Sequence, residues 1–288
     1  MTEAISFAIQ AEFPLTIVLS QRAGPSTGTP TYHEQWDINF ALHPTFGDFE
    51  HVVLCPSNIE EAHFFSWLAL NIADKYQTQV ILLVDKQISE LVSTHETLTI
   101  PKIDRGIILE TPPLDYKRYE LNETWISPRV TVWTKDGDFI ASSYEHDEYG
   151  ATSEESINKE LFTQKRFKKL NNFFEKENYK GYELINKNAQ KIIITTSATS
   201  YTARYFIKNN PEFGLLIIKF LKPLDARIRE ELCGKKEIIF VENNYSWQLE
   251  HYITHEFGLQ CIPELTIKHL RKYNLMPFYI EDFNTLKL

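Results

Sequence analysis

An α/β chain built from two Rossmann-like parallel-sheet units is predicted from three features. Short apolar runs without polar alternation fall into two groups, residues 15–19, 52–54 and 80–84, then 192–194, 215–218 and 238–241. Such runs suit strands covered on both faces by helices, as in parallel sheets. Helical periodicity lies between members of each group at βαβ spacing, and a proline-punctuated stretch plus a long charged segment separates the groups.

Taken in order, residues 2–10 read as the end of a helix that enters the buried strand 15–19 directly. The segment from Gln21 to Thr31 leaves the carboxyl end of that strand, the side on which open α/β sheets bind ligands. Gly24 and Gly28 allow positive φ or close backbone approach, and Pro25 and Pro30 restrict φ, so the loop is stiff. Arg22 is thereby held at the strand end beside the hydroxyls of Ser26, Thr27, Thr29 and Thr31. A permanently charged planar guanidinium among such donors suits a carboxylate or phosphate. The alternative is a turn-rich loop whose arginine makes a local salt bridge.

After strand 52–54, Ser57 and Glu60 fit a capping box that starts a helix, with Ala62, Phe65, Leu68, Ala69 and Ile72 as its core-facing stripe. His63 and Trp67 are ordinary surface and core residues of that helix. Strand 80–84 completes a βαβ unit. Residues 89–150 form an irregular arm, broken by Pro101, Pro112, Pro113 and Pro128, with a hairpin predicted where 130–133 alternate before Lys135-Asp136-Gly137-Asp138. Glu145-His146-Asp147-Glu148 contains hard-metal ligands, but neighbours on an extended segment point to opposite faces, which favours a solvated or interface loop.

Residues 153–176 read as one charged helix lying over the surface, with Ile157, Leu161, Phe167, Leu170 and Phe174 as a sparse stripe. It dominates a linker, 151–186, between units at 1–150 and 187–288. In the second unit, a hydroxyl-rich turn at 195–200 and a helix through Tyr205 follow strand 192–194, and a helix over 223–232 precedes strand 238–241. Glu242-Asn243-Asn244-Tyr245 then sits on the ligand-facing side, where capping is the expected role of the amides. His251 and His255 have a metal-ligand spacing but no third ligand, which places them on the exposed face of an amphipathic helix.

Composition narrows the function. With 43% hydrophobic and 24% charged among 288 residues, the chain is globular in class. Its 30 basic against 39 acidic residues give a net charge of −9 without a basic run, which disfavours nucleic acid. No apolar segment approaches the roughly 18 to 20 residues that span a bilayer, and Met1 opens a polar helix rather than a signal peptide, so a cytoplasmic protein is expected. Cys55, Cys233 and Cys261 are too scattered for a four-thiolate cluster or a disulfide framework, and Cys55 and Cys261 are expected to be buried. No metal site is assigned to this chain.

The run Gln21-Arg22-Ala23-Gly24-Pro25-Ser26-Thr27-Gly28, followed by Pro30-Thr31, resembles the Gln-Arg-Gly-Gly-Pro-Ser-Thr-Gly signature of 2-oxoacid:ferredoxin oxidoreductase alpha subunits, the 2-oxoglutarate type in particular, with Ala23 replacing the first glycine. Glu34-Gln35-Trp36-Asp37, Ala73 to Thr78, Glu145 to Gly150, Val241 to Tyr245 and Pro277-Phe278 fall in the family's order. The resemblance implies an incomplete thiamine pyrimidine-type domain followed by a transketolase C-terminal-like domain. The family's upstream portion, with its Tyr-Pro-Ile-Thr-Pro-like motif and pyrimidine-contacting glutamate, does not occur in this sequence. Arg22 and Thr31 are implied to contact the 2-oxoacid carboxylate, and Gly24, Pro25, Ser26, Thr27 and Gly28 to form the substrate and cofactor loop.

The implied reaction is oxidative decarboxylation of a 2-oxoacid with coenzyme A, giving acyl-CoA, carbon dioxide and reduced ferredoxin. Thiamine diphosphate with Mg²⁺ and an iron–sulfur cluster are implied through a beta subunit, and none of them is expected on this chain alone. The implied partners are that beta subunit, ferredoxin, coenzyme A and the 2-oxoacid. Trp36 and Trp247 stand where the family has glycine, and an indole needs room that close packing denies. That departure motivates an alternative, a non-catalytic paralogue acting as an assembly or regulatory subunit.

Overall fold

A computed structural model describes residues 1–287. Its first half runs α1 (Thr2–Gln10), β1 (Leu15–Gln21), α2 (Ile38–Leu42), β2 (Val52–Leu54), α3 (Ile59–Tyr76), β3 (Gln79–Asp85) and α4 (Lys86–Glu90). The arm holds only β4 (Ile108–Leu109) and β5 (Arg129–Val130), and leads to α5 (Ser156–Lys168) and α6 (Phe173–Glu177). The second half comprises β6 (Tyr182–Ile185), β7 (Lys191–Thr196), α7 (Thr199–Lys208), β8 (Phe213–Ile218), β9 (Phe220–Lys222), α8 (Arg227–Leu232), β10 (Glu237–Glu242), α9 (Gln248–Phe257), β11 (Thr266–Arg271) and α10 (Ile280–Phe283).

Two large sheets result, ordered β1-β3-β2-β9 and β11-β10-β7-β8-β6, beside the two-stranded β4-β5. All six predicted strands are present, and β1, β2 and β3 pair in parallel, as do β11, β10, β7 and β8. The missing alternation has a direct cause. Val53, Ile81 and Leu83 of the first sheet share one core with Ile192, Ile194, Leu216 and Phe240 of the second and with residues of α2, α8 and α9. The opposite faces are filled separately, Val52, Leu54, Val80 and Leu82 by α3, and Ile193, Leu215, Ile217 and Ile239 by α7 and α10. Strands covered on both faces need apolar residues at every position.

Three strands of these two sheets escaped prediction. β9 crosses from the second half to pair antiparallel with β2, so the sheets are stitched by backbone as well as by the shared core. β6 lies within the predicted linker and pairs antiparallel with β8, while the polar β11 forms the far edge beside β10. β1 differs from expectation too. It was read as buried, yet it is an edge strand paired only with β3, and Val18 is 66% exposed.

Other local expectations shift. The cap of α3 moves by one residue, because Asn58 accepts from the Glu61 amide while the Glu61 carboxylate receives the Ser57 amide and hydroxyl. The predicted hairpin after residue 130 is a pair of turns, and β5 instead pairs in parallel with β4. The helix expected over 223–232 starts only at Arg227. Cys55 is buried, its thiol pushed up to about 12 chiefly by burial, but Cys261 is exposed.

The expected surface helix is broken and partly interior. Asn172, in the left-handed region at φ 57°, separates α5 from α6, and Ile157 is 69% exposed while Lys165 and Lys169 are buried. Both lysines reach the fully buried Glu12, Lys165 Nζ at 2.6 Å from its carboxylate. Lys169 also donates to the Gln77 carbonyl, and Arg118 donates to the Glu12 carbonyl and the Gln77 side chain. The acidic segment is likewise not a solvated loop. His146 is fully buried, its ring nitrogens facing the carbonyl oxygens of Asp147 (2.9 Å) and Gln10 (3.2 Å), and Glu145 takes a two-point contact from Arg166. Charge in these segments therefore ties the arm and α5 to α1 instead of facing water.

Burial alone would raise the Glu12 carboxyl, but Lys165, Lys169 and Arg118 hold it well below the usual carboxylate range. With more cations than carboxylates in the cluster, burial wins at Lys169 and pushes it down to about 7 from its ordinary 10.5. Between those values the unfolded chain keeps a proton that the folded chain has released, so this amine makes stability rise with pH across that window. Urea melts between pH 7 and 10 should show the rise, and Lys169→Met should flatten it; a decline as steep in the wild type as in the variant would contradict the assignment. The Glu12 contribution is lost only in acid, below the ordinary carboxylate range.

Candidate functional site

The carboxyl ends of β1 and β3 meet those of β7 and β10, and a second group of buried polar residues gathers there. Gln21, the last residue of β1, lies opposite Asp85 in the β1–β3 register, and its buried side-chain amide has no partner on either atom among the described residues. Asp85 is fully buried, accepting from the amides of Ile88 (3.3 Å) and Ala198 (2.8 Å). Burial raises its carboxyl above the usual range, against the pull of His33 and of these amides. Asp85 thus joins α4 to the turn that starts α7.

The loop after β1 closes on itself. A bridge pairs Ala23 with Thr29, whose amide donates to the Ala23 carbonyl at 3.1 Å. Arg22, half-buried, and Thr31, exposed, therefore flank the neck, while Ser26, Thr27 and Gly28 lie exposed at the tip, with Ser26 at φ 56° and Gly28 at φ 53°. Of the glycines, only Gly28 is needed by geometry. A Cβ there would stand 2.1 Å from the Ala23 carbonyl oxygen, whereas one on Gly24 would meet nothing within 4 Å. Gly28→Ala should lower stability by about 1 to 3 kcal/mol and Gly24→Ala by less than about 0.5 kcal/mol, as read from chemical melts. Equal losses at the two positions would refute this closed-neck geometry.

Arg22 is half-buried. Its amide donates to Asp37 Oδ2 at 3.3 Å, and its guanidinium makes no side-chain hydrogen bond or ion pair among the described residues. Burial raises the Asp37 carboxyl, while the Arg22 amide and charge draw it back. The segment around Asp37 is in turn bound to the second sheet. The Gln35 amide donates to the Asn243 carbonyl (2.8 Å), the Asn243 amide to Gln35 Oε1 (3.0 Å), Gln35 Nε2 to the Thr196 carbonyl (3.1 Å) and Asn244 Nδ2 to the Gln35 carbonyl (3.2 Å). From α9, Gln248 donates to the Trp36 carbonyl (3.1 Å) and accepts from the Asn39 amide (2.9 Å).

Around this clasp, His33 Nε2 lies 3.3 Å from Asn243 Oδ1, which also accepts from the Thr199 hydroxyl at 3.1 Å. The buried Glu34 accepts from the Leu275 amide, and burial raises its carboxyl. Asn244 accepts from the Gln248 amide and so caps α9 as anticipated, the Glu242 carboxylate accepts from the amides of Leu249 and Glu250, and Asn243 is used on His33 and Thr199 instead. Trp36 is half-buried, and Trp247 sits at φ 52° with its ring 4.3 Å from that of His269. Both indoles are accommodated. His251 and His255 are exposed on α9, and among the described residues no group of three or more His, Cys, Asp or Glu could hold a metal ion.

The family described as pyruvate flavodoxin/ferredoxin oxidoreductase, thiamine diphosphate-binding, matches residues 1–163. The chain belongs to this family. As a member of it, the chain is 33% identical over 260 residues to 2-oxoacid:ferredoxin oxidoreductase 2, subunit alpha, of Aeropyrum pernix, covering 86% of this chain and 40% of that one. It is 28% identical over 246 residues to the 2-oxoglutarate synthase subunit KorA of Methanocaldococcus jannaschii, covering 83% and 65%. Among solved structures, 2-oxoglutarate:ferredoxin oxidoreductase from Magnetococcus marinus, with 2-oxoglutarate, coenzyme A and succinyl-CoA bound, superposes with a TM-score of 0.86 at 29% identity, over all of this chain and 50% of that one. The chain thus spans less than half the length of the Aeropyrum relative and half of the Magnetococcus chain. In this family member, the functional interest of Asp85, Thr196 and Gln248 was not read from the sequence. The one signal for Asp85 was a carboxylate directly following a wholly apolar strand.

Proposed function

We propose that this chain is the part of a 2-oxoacid:ferredoxin oxidoreductase alpha subunit that receives the 2-oxoacid carboxylate. The enzyme would oxidatively decarboxylate a 2-oxoglutarate-like acid with coenzyme A to acyl-CoA, carbon dioxide and reduced ferredoxin. One observation carries the reading: Arg22 sits at the carboxyl end of a parallel strand with its backbone fastened to Asp37 and its guanidinium unpaired among the described residues. A loop-anchoring arginine would instead spend its side chain on a local salt bridge. A guanidinium fork with a hydroxyl beside it matches a carboxylate, and Thr31 leaves the same neck of the loop.

Thiamine diphosphate supplies the electron sink for decarboxylation when bound, and this chain's task is to hold and orient the acid beside it. The loop's donors, a guanidinium and hydroxyls, fit an anion and not a cation. We assign Mg²⁺ and the iron–sulfur cluster to a beta subunit, since Cys55 is buried while Cys233 and Cys261 are exposed and distant in sequence. That subunit would cover the edge at β1 and the arm, where Leu114, Val132, Trp133 and Ile140 are exposed.

The test is reconstitution with polypeptides supplying the rest of an alpha subunit and a beta subunit, followed by 2-oxoglutarate- and coenzyme A-dependent dye reduction. Turnover is expected in the assembled complex and none from this chain alone. An assembled complex that turns over no 2-oxoacid, or a chain that works unaided, would overturn the reading.

A further inference from the structure

We infer that Gln35 is a positioning residue through which the second sheet sets the place of Arg22. The inference rests on the reading of Arg22 given above. Each of the four polar groups of Gln35 meets the second half of the chain, and its side chain also favours the charged form of Asp85 at the end of β3. Its own amide, side-chain oxygen, side-chain nitrogen and carbonyl meet Asn243, Asn243, Thr196 and Asn244 respectively. It is fully buried, and so are the residues it meets. Two residues on, Asp37 accepts the Arg22 amide, and Gln248 grips the intervening Trp36 carbonyl and the Asn39 amide. A continuous line of hydrogen bonds therefore runs from the carboxyl ends of β7 and β10, through residues 35–39, to the neck of the Arg22 loop.

Sheet packing alone leaves that loop free to shift. Ser26, Thr27 and Gly28 at its tip are exposed, and its inner bridge ties Ala23 only to Thr29 of the same loop. Beyond the end of β1 at Gln21, the tie from the neck to the rest of the molecule is the Arg22 amide on Asp37. A carboxylate receptor must be held to within a fraction of an ångström, and supporting hydrogen bonds supply that constraint. Catalytic contact is not assigned to Gln35, because its polar groups are already used within the chain.

Gln35→Met keeps the volume and removes both side-chain bonds. Gln248→Met loosens the same segment from α9 without touching Gln35 or the loop. Amide hydrogen exchange on the chain itself is expected to quicken at the bonded amides of the loop neck, Arg22 and Thr29, by about tenfold in either variant, the equivalent of one lost hydrogen bond, while β7 and β8 amides change no more than global stability requires. In the reconstituted complex both should raise KM for 2-oxoglutarate more than they lower kcat. Loop exchange that moves only in step with the strand amides would reduce Gln35 to a structural tie and overturn the inference, and a Gln35→Met chain that fails to fold leaves Gln248→Met to decide. Fast loop exchange with unchanged KM would overturn the role toward substrate, and Arg22→Lys in the same assay distinguishes that from a failure of the Arg22 reading itself.

Discussion

Arg22→Lys is expected to lower kcat/KM for a 2-oxoacid nearly as much as Arg22→Ala in a reconstituted complex. Lysine keeps the charge but presents one compact ammonium in place of the guanidinium fork, so a two-point contact to a carboxylate cannot be rebuilt. Losing a charge-assisted contact in a water-poor site costs on the order of 2 to 4 kcal/mol, roughly 30- to 1,000-fold in kcat/KM. Stability should barely change, because the tie from this residue to the fold runs through its backbone amide to Asp37 and not through its side chain. Near wild-type activity of Arg22→Lys, or activity lost only in proportion to folding, would remove Arg22 from the site. Thr31→Val should cost less, since a neutral hydrogen bond contributes about 1 kcal/mol.

The second large effect is on folding. Below pH 7, where Lys169 keeps its proton, Glu12→Gln should destabilise the chain by about 3 to 5 kcal/mol, because it leaves Lys165 and Lys169 buried without their counter-charge. In thermal melts this amounts to a fall on the order of 10 °C. The triple variant Glu12→Gln, Lys165→Met, Lys169→Met should regain most of the loss, since an apolar replacement of a buried ionic cluster is often neutral or better. A Glu12→Gln chain as stable as the wild type would mean that the lysines deprotonate or reach water at little cost.

The alternative of a non-catalytic paralogue drew on Trp36 and Trp247. The Trp247 indole packs against His269 and Arg271 at the end of the second sheet, so that residue supplies no steric argument against a carboxylate receptor at the Arg22 loop.

Much of the fold and part of the candidate site were legible because they depend on local chemistry. Apolar runs such as 192–194 and 238–241 have few ways to avoid being two-sided strands, and the loop stands out because its Gly-Pro-Ser-Thr-Gly composition fits few other structures. The amphipathic stripe of α3 was equally direct, since Phe65, Leu68, Ala69 and Ile72 are all buried on one face.

What stayed hidden depends on partners distant in the chain. Lys165 and Lys169 look like solvated charges until Glu12, more than 150 residues earlier, is folded against them, and the charge of a side chain does not disclose its counter-ion. β11 lacks the apolar pattern of its neighbours and β9 is only three residues long, and both are joined by pairing, to β10 and β2, that no local window contains. The site divides in the same way. The sequence by itself determined a stiff, hydroxyl-rich loop carrying Arg22 at the end of a strand, because glycine, proline and arginine have those properties in any context. Only the tertiary structure decided where that loop is held, because the hydrogen bonds of Gln35 to Thr196, Asn243 and Asn244 close over separations of more than 160 residues and exist only once both sheets have packed on their common core.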